Sequence, residues 1–273
     1  MPQDISGYDV GALLYCPANA HHTVAQAVAA ERLPRPFSLA LCLEDTVRAD
    51  ALAAAEQAVE QTLHDLTDTT RQETFYRPLT FVRVRSPEQL ARLGRAYGKY
   101  RPLLTGFILP KFFIETCGAY CAVIRDLQAD GLDYFYMPVF EAPSMLPLHT
   151  RHAALAEVKA QLDALRECIL NIRVGGNDLC HVFGLRRDPG HTIYDLHPVA
   201  DVLADLLTTF APDYLVAGPV WEYYDGPGWA EGLAQECALD RLNGFVGKTV
   251  IHPKQIPIVN QSLQVSPADY ADA

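Results

Sequence analysis

The chain has 273 residues, and its 22 Lys and Arg against 33 Asp and Glu give a formal net charge of −11. Hydrophobic residues make up 49% and charged residues 20%, an ordinary globular composition that excludes a disordered chain, and α/β barrels often reach this length as one domain. The acidic balance argues against nucleic acid as a partner, because binding to phosphates requires the opposite charge.

Short apolar runs alternate with longer amphipathic stretches along the whole chain. Eight of the runs have the length of a buried strand, and most are apolar at both alternating positions, as in strands covered on both faces. In chain order these predicted strands span residues 11–16, 37–44, 79–85, 105–111, 134–141, 168–174, 213–218 and 248–253.

Three stretches between the runs, 49–65, 151–165 and 196–210, repeat apolar residues every three to four positions and predict helices with one buried face. Eight strands with helices between them predict an α/β fold of the (β/α)8 TIM barrel type and favour it over a doubly wound sheet. We find no internal repeat and no linker, so residues 1–273 are predicted to form one barrel domain. The tail after His252 is expected to be a C-terminal extension, either a ninth element or an arm that packs on a partner.

No apolar run approaches the roughly 20 residues of a membrane span, and the N-terminal residues lack the basic start and apolar stretch of a signal peptide. The seven cysteines are scattered without a CxxC pair, a pattern typical of reduced, buried thiols. These features predict a cytoplasmic protein without a membrane partner and give no support to a cysteine-based zinc site.

Charged residues follow most of the predicted strands, and in a barrel of this type the active site lies at the C-terminal strand ends. Burying charges costs several kcal/mol each unless they are paired or bind a metal, so a ligand explains such a cluster better than stability does. The charged residues at these ends are Glu44, Asp45, Arg83, Arg85, Lys111, Glu141, Asp178 and His252.

Glu141 and Asp178 form the natural pair of metal ligands in this cluster. Hard carboxylate oxygens suit Mg²⁺, which takes only one or two protein carboxylates and keeps several waters. As a Lewis acid, Mg²⁺ would stabilise the oxygen charge that develops when a C–C bond breaks beside a carbonyl. The turn that contains Gly176 and Asn177 lets the backbone approach a ligand closely, and its N–H groups are candidates to contact a carboxylate.

Arg83 lies in an otherwise apolar strand, FVRV, where a guanidinium is costly without an anionic partner. Its fork geometry matches a substrate carboxylate, and the alternative is a structural ion pair with Glu44 or Asp45. A metal-bound water, or Glu44 acting through a water, is the predicted general base, and His252 is the histidine at a strand end that could take this part.

Seven short motifs occur in an order and at spacings that resemble the citrate lyase β-subunit-like proteins of the HpcH/HpaI aldolase group. The resemblance covers about residues 11–268, and its most specific part begins VIHPKQI. The motifs are LLYCP, LCLEDTV, FVRV, GFILPK, FEAP, GGNDL and GFVGKTVIHPKQI.

The resemblance implies a (β/α)8 barrel that assembles as a homotrimer or homohexamer and uses Mg²⁺ to break or form a C–C bond, often in acyl-CoA or 2-oxo acid substrates. By position, it makes Glu141 and Asp178 the metal ligands and Arg83 the substrate-binding arginine. It matches Lys111 to the lysine of an L-P-K motif. Glu44 and Asp45 match the acids that support the metal waters and the arginine.

Several positions depart from the family pattern. Gly11-Ala12 replace an Arg-Ser pair, Cys42 replaces the first acid of a D-L-E-D motif, and Arg85 replaces an asparagine. Because such positions contact the substrate or its anionic handle in relatives, the departures count against citrate or citryl-CoA as the substrate and against CoA as the handle, but they do not decide whether CoA is used. The departures indicate a divergent branch, and similar sequences occur in bacterial tellurium-resistance-associated biosynthetic clusters, so such an association is also expected.

The sequence therefore predicts a Mg²⁺-dependent C–C lyase or aldolase of a small oxo- or hydroxy-acid, with any acyl-CoA link left open. Arg83, Glu44 and Asp45 are the predicted catalytic residues, and Arg83, Lys111, Gly176 and Asn177 the predicted substrate contacts. Two alternatives stay open: a thioester or ester hydrolase at the same metal, and a non-catalytic barrel that binds a ligand or a partner protein.

Overall fold

The computed structural model of the protein describes residues 5–72, 74–265 and 270. Eight strands form one sheet in which every neighbouring pair is parallel. The strands are β1 (Ala12–Pro17), β2 (Ser38–Cys42), β3 (Thr80–Arg83), β4 (Leu104–Leu109), β5 (Phe135–Phe140), β6 (Ile172–Val174), β7 (Val216–Ala217) and β8 (Lys248–Val250).

The sheet closes on itself. Its strand order is β7-β6-β5-β4-β3-β2-β1-β8, and a parallel bridge between Gly218 and Lys248 joins the two outer strands. The N–H of Gly218 donates to the carbonyl of Gly247 over 3.0 Å at the same seam. The predicted (β/α)8 barrel is therefore confirmed, and each of the eight predicted strands overlaps an observed one.

Helices alternate with these strands. Short 3-10 segments join many of them, and one, Gly7–Val10, precedes β1 and contributes Val10 to the core inside the barrel. The helices are α1 (His21–Ala29), α2 (Leu52–Gln72), α3 (Pro87–Ala96), α4 (Cys117–Ala129), α5 (Leu148–Asp163), α6 (Gly176–Val182), α7 (His197–Phe210), α8 (Trp229–Asn243) and α9 (Ile256–Ser262).

The largest difference from the predicted elements is α2, which runs seven residues beyond the predicted end at 65. Polar threonines usually compete with the helical backbone, but here their hydroxyls bond back to carbonyls one turn earlier. Thr67 donates to Leu63 over 2.7 Å and Thr69 to Asp65 over 2.8 Å, so both hydroxyls have an acceptor within the helix.

The core has two parts, which explains why the strands are apolar at both alternating positions. In β2, Leu39 and Leu41 belong to the cluster between the sheet and the helices, whereas Ala40 belongs to the cluster inside the barrel. The inner cluster also includes Leu13, Phe81, Ile108, Met137 and Val139, and these side chains form the floor beneath the strand ends.

The segment after His252 forms α9, which is the predicted ninth element. Its Ile256 and Val259 are fully buried in the core, and the helix packs against α8 and β1 of its own chain. Across the described ranges, no helix combines the length and the apolar character that crossing a bilayer requires.

Candidate active site

Arg83 is the centre of a charged cluster at the C-terminal ends of the strands. Its Nη2 lies 2.9 Å from Oε2 of Glu44 and 2.9 Å from Oε1 of Glu141, and its Nη1 lies 2.9 Å from Oδ2 of Asp45. β3 ends at Arg83 and its neighbour β2 ends at Cys42, so the parallel register brings the loop with Glu44 and Asp45 beside the guanidinium. The predicted ion pairs with Glu44 and Asp45 thus exist, and Glu141 joins them.

Lys111 connects the end of β4 to both neighbouring acids. Its ammonium lies 3.0 Å from Oε1 of Glu44, and its backbone N–H donates to Oε1 of Glu141 over 3.1 Å. Lys111 has a φ of +50°, a left-handed conformation that is unfavourable for a residue with a Cβ. Strained backbone conformations of this kind persist where the surrounding structure holds them in place, and they are found most often at functional sites.

Arg85, two residues after the end of β3, holds the loop that carries the two acids. Its Nε donates to the carbonyl of Leu43 over 2.5 Å, and its Nη2 donates to the carbonyls of Glu44 and Val47. The guanidinium of Arg85 therefore donates its hydrogen bonds to the backbone of the β2–α2 loop. These bonds fix the position of Glu44 and Asp45.

Glu141 and Asp178 converge, as the metal-site hypothesis requires. Glu141 is 4% exposed, and burial together with the charge of Asp178 raises the pKa of Glu141 to about 8, against the opposing effect of Arg83. Gly175 is required beside them, because a Cβ at that position would collide with Oε2 of Glu141. The two carboxyl groups thus border the same cavity, and the charge of one acts on the other.

The pKa values of Glu44 and Asp45 are shifted in opposite directions. Burial and the hydrogen bond to Asp45 raise the pKa of Glu44, although Arg83 and Lys111 oppose the shift. Burial acts in the same direction on Asp45, but the hydrogen bond with Glu44 and the Arg83 charge outweigh it and lower the pKa of Asp45. The side chain of Asp45 is 50% exposed, whereas that of Glu44 is 9% exposed.

Asp178 and Asn177 lie in the first turn of α6, directly after β6. Oδ1 of Asn177 is buried and accepts no hydrogen bond from any described residue. Gly176 begins the helix, and a Cβ there would meet Ile193 and Pro219. In the part of the chain that the structure describes, no group of three or more His, Cys, Asp or Glu side chains is arranged to hold a metal, so a cation here would depend on the carboxylate pair.

A cavity of about 370 Å³ opens at this end of the barrel. Five of the predicted site residues line it: Asp45, Arg83, Glu141, Asn177 and Asp178. Glu44, Lys111 and Gly176 are not among its lining residues, but Glu44 contacts Arg83 and the N–H of Lys111 donates to Glu141, both of which line it.

His252 does not line the cavity. Its ring stacks on Tyr224, with centroids 4.5 Å apart and planes 7° from parallel, and its Nδ1 accepts from the N–H of Lys254 over 3.2 Å. Burial lowers its pKa.

The cavity is also lined by polar residues that are not among the predicted site residues, including Tyr15 on β1, Arg173 on β6 and Thr249 on β8. The signal for Arg173 was available, because a guanidinium in the apolar run CILNIRV is as costly as Arg83 in FVRV. Tyr15 and Thr249 carry no such signal, since both are common strand residues.

The family model described as a C–C bond lyase of the TIM-barrel fold matches residues 4–273 of this chain. No curated protein matches it in sequence. Among solved structures, the citrate lyase β-subunit of Mycobacterium tuberculosis in complex with oxaloacetate and magnesium is 22% identical. That alignment covers 96% of this chain and 100% of the other, with a TM-score of 0.65.

Two further structures show the same fold. RipC from Yersinia pestis is 17% identical over 97% of this chain and 100% of its own, with a TM-score of 0.65. The CitE protein of M. tuberculosis in complex with magnesium, acetoacetate and coenzyme A is 22% identical over 97% of this chain and 85% of its own, with a TM-score of 0.66.

Proposed function

Because this chain belongs to the C–C bond lyase family of the TIM-barrel fold, we propose that it is a Mg²⁺-dependent lyase or aldolase of a small oxo- or hydroxy-acid. The observation that carries the proposal is the convergence of Glu141 and Asp178, from two different strand ends, beside Arg83 in one cavity. The M. tuberculosis proteins with this fold were solved with magnesium and small carboxylates such as oxaloacetate and pyruvate, which supports the same ligand class here.

The donor set fits Mg²⁺. Oε2 of Glu141 is left over from the contacts that Arg83 and Lys111 make with Oε1, Asp178 lies beside it, and the orphaned Oδ1 of Asn177 is a third hard oxygen in the same cavity. We propose Glu141 and Asp178 as the metal ligands. Bound there, Mg²⁺ would supply Lewis-acid charge for the oxygen that becomes negative as the C–C bond breaks.

Arg83 orients this site and contributes to substrate binding. Its two terminal nitrogens hold Glu141, Glu44 and Asp45, its buried Nε donates to no described acceptor, and the residue is one of those that line the cavity. We propose that Arg83 contacts a substrate carboxylate. The Gly176–Asn177 turn and Lys111 complete the proposed substrate contacts, since the ammonium of Lys111 stays half-exposed although it is paired with Glu44.

We assign the movement of the proton to Glu44 and Asp45. Their contact raises the pKa of one carboxyl and lowers that of the other, and pairs of acids with separated pKa values are suited to acid and base roles. Asp45 faces the cavity and is the member that can reach the substrate or an intervening water. We also propose that the chain assembles as a homotrimer or homohexamer.

The test combines Mg²⁺ titration with identification of products. Calorimetry should show Mg²⁺ binding to the wild type that is lost in Glu141→Gln, while the control Glu115→Gln, at an exposed position, binds as the wild type does. Incubation with Mg²⁺ and a panel of 2-oxo acids, hydroxy-acids and their CoA thioesters should yield two fragments by mass spectrometry.

Equal Mg²⁺ affinity in the wild type and Glu141→Gln, or no binding to either, would count against the proposal. Release of an acid and a thiol without a cleaved C–C bond would replace the lyase with a hydrolase.

A further inference from the structure

The proposed reaction needs a proton donor to carbon in addition to the acids already assigned. When a C–C bond breaks beside a carbonyl, its electron pair passes into an enolate, and the enolate carbon must gain a proton to complete the product. Glu44 and Asp45 are assigned to the proton that leaves the substrate hydroxyl, and Glu141 and Asp178 to the metal. The donor to carbon is therefore a further residue of the cavity.

Two other side chains among the described cavity residues can give up a proton, the phenol of Tyr15 and the thiol of Cys42. Cys42 is fully buried and has no exposed surface, whereas Tyr15 is only partly buried. Tyr15 lies on β1 and packs against the cluster inside the barrel, which forms the floor of the cavity. Its phenol is the better placed of the two to meet a ligand.

Two guanidinium groups neighbour the ring of Tyr15. The Cζ atom of Arg83 lies 5.6 Å from the ring centroid, and the buried Arg173 on β6 is the second cation that acts on the phenol. Burial raises the pKa of Tyr15, and the charges of Arg83 and Arg173 oppose that rise. The phenol therefore keeps its proton at rest, while the charges that would stabilise a phenoxide are already in place.

Arg173 lacks the counter-charge that the other buried cations have. Of five buried cationic side chains in the described ranges, four pair with a carboxylate, as Arg151 does with Asp205 over 2.8 Å. Arg173 pairs with no described carboxylate, and its Nη2 donates to Oγ1 of Thr249 over 2.6 Å. Because an unpaired buried charge is unfavourable, a negative charge that forms on the neighbouring phenol of Tyr15 is stabilised.

We propose that Tyr15 is the catalytic acid that delivers a proton to the enolate carbon, and that Arg173 is a positioning residue that compensates the phenoxide left behind. The inference rests on the proposed function, because the enolate comes from the proposed C–C cleavage. The O–H bond of Tyr15 breaks as a C–H bond forms at the enolate carbon. The phenoxide then regains, through water, the proton that Glu44 and Asp45 took from the substrate hydroxyl, so both proton and charge balance.

The test follows hydrogen exchange at carbon and does not require the natural substrate. Pyruvate carries a methyl group beside its carbonyl, and the phenoxide form of Tyr15 would take a proton from that methyl group and return a deuteron. In deuterated buffer with Mg²⁺, NMR should show the wild type replacing the methyl hydrogens of pyruvate by deuterium. Tyr15→Phe should exchange them about 10²- to 10⁴-fold more slowly, the usual contribution of general acid–base catalysis.

Tyr136→Phe is the matched control for the loss of a tyrosine hydroxyl. Tyr136 lies on β5 and belongs to the cluster between the sheet and the helices, and its buried hydroxyl has no described hydrogen-bond partner. This variant should exchange at the wild-type rate. Calorimetry gives a readout that does not depend on turnover: Tyr15→Phe should bind Mg²⁺ and pyruvate as tightly as the wild type, because it keeps the ring and loses only the hydroxyl.

Arg173 is tested by conservative rescue. Arg173→Gln removes the charge beside the phenol, whereas Arg173→Lys keeps a cation there. We expect both variants to exchange more slowly than the wild type, and the lysine variant to exchange faster than the glutamine variant. Equal exchange rates in the two variants would overturn the role of Arg173.

Exchange by Tyr15→Phe at the wild-type rate would overturn the role of Tyr15 and leave the proposed function intact. Loss of pyruvate binding in Tyr15→Phe, in proportion to the loss of exchange, would overturn it as well, because the hydroxyl would then hold the ligand rather than move a proton. If the wild type with Mg²⁺ exchanges no methyl hydrogen, it forms no enolate. The proposed function then fails, and the role of Tyr15 fails with it.

Discussion

The backbone N–H of Lys111 donates to Oε1 of Glu141 over 3.1 Å, and the left-handed conformation of Lys111 accompanies this contact. The bond fixes one oxygen of a buried carboxylate that Arg83 contacts from another strand. Both donors act on Oε1, so Oε2 takes part in neither contact. The strain at Lys111 is thus connected to the geometry of the proposed metal site.

Replacing Lys111 by Gly or by Ala separates the effect of its backbone conformation on stability from the effect of its side chain. Both variants lose the ion pair with Glu44 and keep the N–H, but only Gly accepts a φ of +50° without strain. We expect Lys111→Gly to exceed Lys111→Ala in free energy of unfolding by about 1 kcal/mol, measured by urea denaturation. Equal stabilities would show that the conformation is not strained.

Removing the Arg83 guanidinium should strongly destabilise the protein. Arg83→Met leaves Glu44 and Glu141 buried without their main counter-charge, and breaking a buried ion pair from one side costs about 3–5 kcal/mol. Arg83→Lys should lose less, because a single ammonium keeps the charge but cannot reach three acids at once. Urea denaturation without Mg²⁺ measures both differences.

Arg92→Met is the matched control for this series. Arg92 pairs with Glu56 over 2.6 Å, but its side chain is 58% exposed, and exposed pairs contribute about 1 kcal/mol or less. If Arg83→Met lowers the free energy of unfolding by no more than Arg92→Met does, the result contradicts the central role of Arg83.

The affinity for Mg²⁺ should depend on pH through Glu141. Burial, with Asp178 nearby, raises the pKa of Glu141 to about 8, so the metal-free protein holds a proton there at neutral pH. Because Mg²⁺ must displace that proton, its affinity should rise by up to about ten-fold per pH unit below 8 and level off above it.

Calorimetry between pH 6 and 9, in two buffers of different ionisation enthalpy, would measure both the affinity and the proton released. We expect close to one proton released at the low end of this range and none at the high end. A Mg²⁺ affinity that falls as the pH rises would contradict the assignment of Glu141 as a metal ligand that must first lose a proton.

The strands and the principal acids could be predicted from the sequence because their signals are local. A run such as LTFVRVR is apolar on both faces and carries one arginine, and it became β3 ending at Arg83. Glu141 and Asp178 could be placed at strand ends, and parallel strands in a barrel direct those ends to one side. Their convergence therefore followed from topology alone.

Other features depend on neighbours that the sequence does not specify. β7 shrank to Val216–Ala217 and β6 to Ile172–Val174, because burial makes flanking residues apolar whether or not they pair as strands. His252 follows a strand, yet its ring stacks on Tyr224 away from the cavity. The position of a residue along a strand sets its height along the barrel axis. The direction in which its side chain points depends on the packing of the neighbouring loops.

Residue types and periodicity determined the barrel and placed its charged residues at the strand ends. They could do so because burial and backbone hydrogen bonding act along each strand and helix separately. The tertiary structure decided which charges are compensated. Arg83 has three acids and Arg173 has none, although both are single arginines in apolar strands. Counter-ions come from loops distant in sequence, and the field at a buried charge depends on distances that only the folded chain sets.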